Sequence, residues 1–492
     1  MEDVIRDNRS SLKPRKRSER LTPDRPLVEM PRQKALLPLL VKYDVPAPRY
    51  TSYPPATQFS NAFESSCYLD RLSYLSEDSA NQTSPPEISL YVHLPFCDTL
   101  CYFCGCTMIV SNNRSKIAEY LEYLKREITM TREHMERDVT VVQMHWGGGS
   151  PTHLTPWEII MLGEHIRQTF TFSDDAELSI EIDPRGLTLE HIQALNSIGF
   201  NRASIGVQDF TEEVQIAINR IQPQSVTEQA IAWCRQAGMS INLDLIYGLP
   251  FQTTASFGET LGIIREIAPD RIAAYNFAYV PWIKPHQNLI EIETLPSVST
   301  KLALLELTIQ ELSSAGYDYL GMDHFAQPND SLITARREGT LHRNFQGYST
   351  HGGKDLLAFG ISAIGRVENA FAQNEKEIPH YYRRIQEDRL PIAKGYRLTD
   401  DDAVREYVIM QLMCNLKVDK RDVERLFGIS FDSYFVEALA CLEPLQMDGL
   451  CHLCDDSVDV SSLGRYFLRN IAAQFDAYLG HIKTERIFSR AI

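Results

Sequence analysis

Long apolar runs are missing from this sequence. No uninterrupted hydrophobic stretch approaches the ~18 residues that a membrane-crossing helix requires. The opening MEDVIRDNRSSLKPRKR also lacks the apolar core of a secretory signal. No membrane partner is therefore expected, and a cytoplasmic protein is. An excess of positive charge is missing as well: 49 Lys and Arg against 65 Asp and Glu give a formal net charge of −16. That is the wrong sign for a chain that wraps a phosphate backbone, so nucleic acid is not expected as a partner. The 10 cysteines lack the setting of a disulfide framework, because the chain has 492 residues and four of them fall between Cys97 and Cys106. Such clustering reads as reduced thiols that bind something. Hydrophobic (43%) and charged (23%) contents are ordinary, which excludes a wholly disordered or fibrous chain.

Residues 1–40 mix ten Lys/Arg with six Asp/Glu and lack sustained apolar periodicity, so a mobile basic tail is expected there. Residues 41–84 read as a lead-in that ends in the polar break SEDSANQTSPPE (76–87). From 85 to 325, strand-like runs alternate with helical ones: ISLYVHL (88–94), TVVQMHW (140–146), ELSIEID (177–183), RASIGVQ (202–208), SINLDLIY (240–247) and RIAAYNFAYV (271–280). Between the first two strands Ile117, Tyr120, Leu121, Leu124 and Ile128 recur at helical spacing, as do Val226, Ala230, Ile231 and Cys234 before the fifth. Six β/α units imply a parallel sheet.

Strands covered on both faces should be apolar throughout. Here Glu177, Ser179, Glu181 and Asp183 share one face against Leu178, Ile180 and Ile182 on the other. Arg202, Ser204, Gly206 and Gln208, and then Asn242 and Asp244, repeat the pattern. Polar inner faces favour an α/β fold of the partly open (β/α)6 barrel type that holds a ligand in its lumen. The alternative is a doubly wound sheet with a polar crevice. A connecting segment (326–385) and a C-terminal helical domain (386–492) follow. In the latter, helices are expected near 400–414, 419–427, 432–447 and 461–479, with a hairpin at 449–460. Residues 398–492 hold ten Lys/Arg against sixteen Asp/Glu, so a cover or docking domain suits them better than a DNA reader.

Chemistry concentrates after the first strand, where PFCDTLCYFCGC sets Cys97, Cys101 and Cys104 as C-x3-C-x2-C. Three thiolates so spaced can grip one face of a four-iron cube and leave the fourth iron open to a substrate. A zinc site completed by Cys106, or inert buried thiols, are the plainer readings. Gly147, Gly148 and Gly149 follow the second strand, where missing side chains would let a ligand lie against backbone N–H groups; alternatively they make a tight turn. Glu181, Gln208 and Asp244 either reach a cationic ligand or are satisfied polar groups in a wet lumen. Cys451 and Cys454 form a lone C-x2-C without a second pair.

The three-cysteine loop after a first barrel strand resembles the radical S-adenosylmethionine (SAM) superfamily. Within it CYFCGC, HWGGGSPT (145–152), EIDP (181–184), GVQDF (206–210), NLDLIYGLP (242–250), GMDHFA (321–326) and HRNFQGY (342–348) resemble the oxygen-independent coproporphyrinogen III oxidases, from PRYTSYP (48–54) to the C-terminus. The resemblance implies one [4Fe–4S] cluster on Cys97, Cys101 and Cys104, with Cys106 and Glu181 serving catalysis. It implies two SAM molecules, the first near Tyr91, Gly148, Glu181 and Ile364. The second would meet Phe103, Gly149, Ser150, Gln208, Arg220, Asp244 and Ala278; the family commonly has Thr where Ser150 stands. The activity implied is oxidative decarboxylation of two propionates of coproporphyrinogen III to vinyls, giving protoporphyrinogen IX, through a 5′-deoxyadenosyl radical. An electron donor for the cluster, an electron acceptor and a monomeric state complete the expectation. Arg49, His342 and Arg343 are candidate cations for the substrate's carboxylates. A haem-binding chaperone of the same superfamily, without oxidase activity, is the competing expectation; it typically lacks the fourth cysteine. A zinc-stabilised binding protein is a third.

Overall fold

The computed structural model describes residues 38–39, 41–43, 45–63, 65–74 and 85–479. The expected basic tail lies almost wholly outside the described residues, as does most of the break at 76–87. Two compact units share the chain: Thr57–Thr308 with Gly353–Leu398, and Met1–Ala56 with Ile309–Gly352 and Thr399–Ile492.

The first unit is built on β1 (Glu87–Leu94), β2 (Thr140–Gly148), β3 (Thr171–Ile182), β4 (Arg202–Gln208), β5 (Ser240–Tyr247) and β6 (Arg271–Asn276). Each pairs in parallel with the next in chain order. No reversal of order interrupts the six, as a doubly wound sheet would require. The helices between them include α1 (Arg114–Glu133), α2 (Pro156–Thr169), α3 (Leu189–Ser197), α4 (Gln224–Gln236) and α5 (Thr254–Ile267). Helix α1 buries Ile117, Tyr120, Leu121, Leu124 and Ile128, the set its periodicity marks, and α4 buries Thr227, Ala230, Ile231 and Cys234, with Val226 only half-buried. Local chemistry fixes the ends: Asn113 accepts from the N–H groups of Ser115 and Lys116 to start α1, and Thr155 and Glu158 form a reciprocal cap on α2. On the strands Ile180, Ile205 and Leu243 are fully buried. Each such side chain contributes about 1.5–3 kcal/mol by leaving water.

Two strand boundaries depart from the sequence pattern. Strand β3 starts at Thr171 rather than 177, through a Ser-Asp-Asp stretch of low strand propensity, because Thr171 and Phe172 pair with Thr140 and Val141 of β2. Strand β6 ends at Asn276 rather than 280, since the Val280 N–H donates to Gln287 Oε1 at 2.6 Å. The sheet also extends where no strand was expected. Strand β7 (Asp355–Phe359) pairs in parallel with β1, and the antiparallel β8 (Ile364–Val367), β9 (Ala370–Asn374) and β10 (Ile392–Arg397) follow.

One buried carboxylate ties this extension to α1. Glu127, 2% exposed, accepts from the Tyr381 hydroxyl (2.5 Å), the Asn374 amide (2.6 Å) and the Gly360 N–H (2.8 Å). Burial raises its pKa to about 7 against the lowering effect of these donors.

The second unit contains helices Asp400–Asn415, Lys420–Phe427, Phe431–Tyr434 and Val436–Met447. The expected hairpin is present as Cys451–Leu453 with Ser457–Val460, and Lys417–Asp419 adds a third antiparallel strand. The helix expected over 461–479 is shorter: a 3-10 turn at Gly464–Phe467, then Leu468–Ala473. Among the described residues, no helix is long and apolar enough to cross a membrane.

Glu127 sets a pH dependence. A carboxyl raised in the folded state gives stability that is complete below its unfolded value and is lost as pH rises through about 7. Glu127→Gln should therefore gain stability over the parent between pH 5 and 8, on the order of 3 kcal/mol at the upper end. Urea midpoints across that range check this; parallel profiles would contradict it.

Candidate active site

The lumen is built from the strand face that alternation leaves polar. Its floor is an ion-paired layer in which Glu177 accepts from Arg202 (3.1 Å) and Gln143 (3.3 Å), with Arg271 at 3.6 Å. Above it, the aligned residues Tyr91, His145 and Ser179 run across β1, β2 and β3. His145 Nδ1 meets Ser179 Oγ at 2.7 Å, and its ring stacks on Tyr91 at 6.0 Å. Tyr91 in turn bonds His93 Nδ1 at 2.9 Å, whose other nitrogen meets the Thr107 carbonyl.

Glu181 stands above this layer with 42% of its side chain exposed. It accepts from the Gly148 N–H at 3.0 Å and faces His145 Nε2 at 3.4 Å. Burial acts to raise its pKa, but His145 and the Gly148 N–H outweigh it and hold the carboxylate below its ordinary range. Asp244 accepts from Ser204 Oγ and Asn242 Nδ2, each at 2.9 Å. Burial nevertheless raises it to about 6.

The glycine turn serves a purpose beyond the one its sequence suggests. The N–H groups of Gly148, Gly149 and Ser150 are already engaged, with Glu181, Leu94 O and Phe96 O. The missing Cβ atoms make room for protein. At Gly147 a Cβ would lie 2.9 Å from the Glu181 carboxylate, at Gly149 2.5 Å from Pro95, and at Gly148 2.5 Å from the His93 ring. Gly148 moreover has φ +115°, which an L side chain rarely adopts. These glycines thus let three strand ends converge under the cysteine loop.

That loop is held from both sides. Tyr102 and Phe103 pack on an apolar cluster of Val214, Ile218, Ile246, Leu249, Phe277 and Ile290. Gln287, 1% exposed, donates to the carbonyls of both Phe103 (3.1 Å) and Ala278 (3.2 Å), which brings these two candidates together. His286 meets Cys104 O at 2.7 Å and Lys284 donates to Cys106 O at 2.8 Å.

Cationic donors converge on Cys101, whose sulfur lies 3.4 Å from Arg185 Nη2 and 3.6 Å from Arg220 Nη1. Both arginines pair with Asp183, at 2.6 and 3.1 Å. Although burial acts to raise it, their charge holds that carboxylate down to about 2. Arg220 also donates to Gly206 O, and Gln208, at φ +68° after a bulge, folds over Gly206, where a Cβ would lie 2.8 Å from its amide. The Cys106 side chain and N–H together lower Cys104 to about 7, while Cys106 itself is pushed up.

Among the described residues, no three His, Cys, Asp or Glu side chains are set to hold a single metal ion. The donor set suits a cluster, in which each thiolate binds a different iron. Three cysteines share one short loop and Cys101 sits between two guanidinium groups, so the residues present fit it. Cys451 is fully buried whereas Cys454 is exposed. Ile364 opens β8 opposite Gln373, and the contacts that join the other candidates do not include it. Asp183, Arg185, His93, Lys284, His286 and Gln287 are site residues that motif reading passed over, although EIDP and ISLYVHL contain two of them.

Residues 91–264 match the model of the radical SAM superfamily, and residues 398–467 match the HemN C-terminal domain. The oxygen-independent coproporphyrinogen III oxidase of Synechocystis is 42% identical over 459 residues, covering 92% of this chain and 97% of that protein. The enzyme of the same name from Escherichia coli K12 is 43% identical over 457 residues, covering 93% and 98%. The chain belongs to the oxygen-independent coproporphyrinogen III oxidase family. A solved structure described as coproporphyrinogen III oxidase (HemN) from Escherichia coli, a radical SAM enzyme, superposes with a TM-score of 0.84 at 43% identity, covering 90% of this chain and 98% of that one. Membership assigns a [4Fe–4S] cluster and SAM as cofactors, and it favours the oxidase over the haem-chaperone reading.

Two predictions follow from this geometry. Single Cys→Ser variants at 97, 101 and 104, purified anaerobically, should lose iron and the broad visible absorption, with Cys106→Ser keeping both; loss in Cys106→Ser alone would contradict the ligand assignment. Gly148→Ala should cost about 2 kcal/mol or more, from backbone strain and the His93 clash. Gly262→Ala, on α5 with nothing within 4 Å of its Cβ, should change stability little or raise it. Equal denaturation midpoints for the two variants would count against the packing role of Gly148.

Proposed function

We propose that this protein oxidatively decarboxylates two propionates of coproporphyrinogen III to vinyl groups, forming protoporphyrinogen IX. The observation that carries the reading is the placement of the Cys97–Cys106 loop over a polar lumen whose Glu181 is pre-set by the Gly148 N–H, in a chain of this family. When bound, the cluster and SAM supply one-electron cleavage of SAM and with it a carbon-centred oxidant.

The chain's own residues do the remaining work. Cys97, Cys101 and Cys104 hold the cluster, and Arg185 and Arg220 donate to the Cys101 sulfur. Glu181, ionised at neutral pH, meets the cationic ligand and fixes its orientation beside Tyr91 and Gly148. Gln208, Arg220 and Asp244, with Phe103, Gly149, Ser150 and Ala278 at the rim, serve a second SAM, and Ile364 borders the first. At the far end of the lumen the Glu177 side chain is ion-paired with those of Arg202 and Arg271, and the three are 10–20% exposed. Cys106, protonated beside Cys104, supports turnover rather than cluster retention. The protein works in the cytoplasm as a monomer, with an electron donor for the cluster and a separate electron acceptor.

Each converted propionate loses one CO2 and two hydrogens. Anaerobic incubation with SAM, a reductant, an electron acceptor and coproporphyrinogen III should therefore show, by mass, a one-vinyl intermediate and then the two-vinyl product. Glu181→Ala should lose SAM cleavage and decarboxylation together, by at least about 100-fold, because a misplaced ligand cannot align its scissile bond. An intact tetracarboxylate after incubation of cluster-replete parent protein would overturn the reading.

A further inference from the structure

Helix α1 carries two buried polar side chains, Tyr120 and Glu127, that lie outside the lumen but not out of its reach. The Tyr120 hydroxyl donates to the His93 carbonyl at 2.8 Å and accepts from the Ile361 N–H at 3.1 Å. Its ring, fully buried, meets Phe96 edge-on with centroids 5.4 Å apart. Tyr120 therefore grips the end of β1 at two points, the second of them next to Cys97. That same stretch serves the site. The carbonyls of Leu94 and Phe96 accept from the Gly149 and Ser150 N–H groups, each at 2.9 Å, and the His93 ring bonds Tyr91.

Glu127 acts one step further back, on the turn that joins β7 to β8. It accepts from the Gly360 N–H at 2.8 Å, while the Asn374 amide donates both to Glu127 (2.6 Å) and to the Gly360 carbonyl (2.9 Å). Tyr381, the third donor to Glu127, stacks on Tyr120 with centroids 5.8 Å apart. The turn fits against β1 without clearance. At Gly360 a Cβ would lie 2.5 Å from the Tyr120 hydroxyl and 2.6 Å from the His93 carbonyl oxygen, and its φ of +94° suits glycine. Four residues on, the chain reaches Ile364. Apolar side chains would also hold α1 against the sheet extension. A polar network adds one fixed position, because any other arrangement leaves a buried donor or acceptor unmatched.

We propose that Tyr120 and Glu127 are positioning residues for SAM: through the Gly360 turn they set the end of β1, and with it the side of the lumen formed by Tyr91, Gly148 and Glu181. This rests on the placement of SAM at that side given above. Neither residue touches the cofactor; both act through the backbone of His93 to Phe96.

Equilibrium dialysis of SAM against anaerobically purified, cluster-replete protein tests this, with iron content and visible absorption measured on the same samples. Tyr120→Phe removes the hydroxyl and keeps the ring, so it should retain its iron yet bind SAM about fivefold or more weakly than the parent. Glu127→Gln keeps an acceptor for the Gly360 N–H and should bind SAM as the parent does, whereas Glu127→Leu should be weakened as Tyr120→Phe is. A purely structural role would lower denaturation midpoints and leave SAM affinity alone. Parent-like affinity in cluster-replete Tyr120→Phe would overturn the proposal, and that variant decides the matter if Glu127→Leu does not fold. Loss of iron from Tyr120→Phe would also overturn it, by moving the role to the cluster. Equal affinities of Glu127→Gln and Glu127→Leu would overturn the part given to Glu127. Parent-like SAM binding by Glu181→Ala would instead remove the SAM placement on which the proposal rests.

Discussion

Charge placed inside a β/α barrel must be matched there, and that constraint organises the first compact unit. A parallel sheet normally buries apolar residues on both faces, whereas here the inner face carries Glu177, Glu181, Asp244, Arg202 and Arg271. Glu177, Glu181, Asp244 and Arg202 are each held by a neighbour on an adjacent strand, and Arg271 reaches across the lumen floor to Glu177. In the floor Arg202 and Arg271 share the Glu177 carboxylate. The upper layer is matched differently: Glu181 is satisfied on one side by Gly148 and His145 and remains open on the other. Function resides in that incompleteness.

The cysteine loop depends on the same principle. Thiolates crowded on ten residues repel one another, and the Asp183–Arg185–Arg220 triad beneath them supplies the opposing charge. From above, Lys284, His286 and Gln287 bind the loop's carbonyls rather than its sulfurs, fixing the backbone while leaving the thiols available. Glycines at 147–149 allow β2 to pass close enough to Glu181, His93 and Pro95 for these layers to meet.

Much of this was legible in the sequence because the signals are short-range. Period-two alternation on ELSIEID and SINLDLIY marks the lumen face, 3.6-residue spacing marks α1, and the cysteine spacing marks the loop on which Arg185 and Arg220 converge. What escaped is non-local. Strand β7 joins the sheet beside β1 from more than 260 residues away, and nothing in DLLAF says which edge it will find. Gln287 lies in a segment without periodicity, and its role appears only when the chain returns to the Cys97–Cys106 loop. The engaged amides of the glycine turn illustrate the same limit: GGGS suggests a ligand cradle, but a sequence cannot show that Glu181 already occupies the space a Cβ would need.

The proposed assignment of a four-iron cluster to Cys97, Cys101 and Cys104, with one iron open to SAM, can be tested on the protein itself. Mössbauer and electron paramagnetic resonance spectroscopy of the reduced, cluster-replete protein, with and without SAM, test it most directly. The account predicts a cluster in which one iron site changes its spectrum when SAM is added, an effect lost in Glu181→Ala. A four-iron cluster whose spectra are indifferent to SAM, or a protein that binds a single metal ion instead, would contradict it.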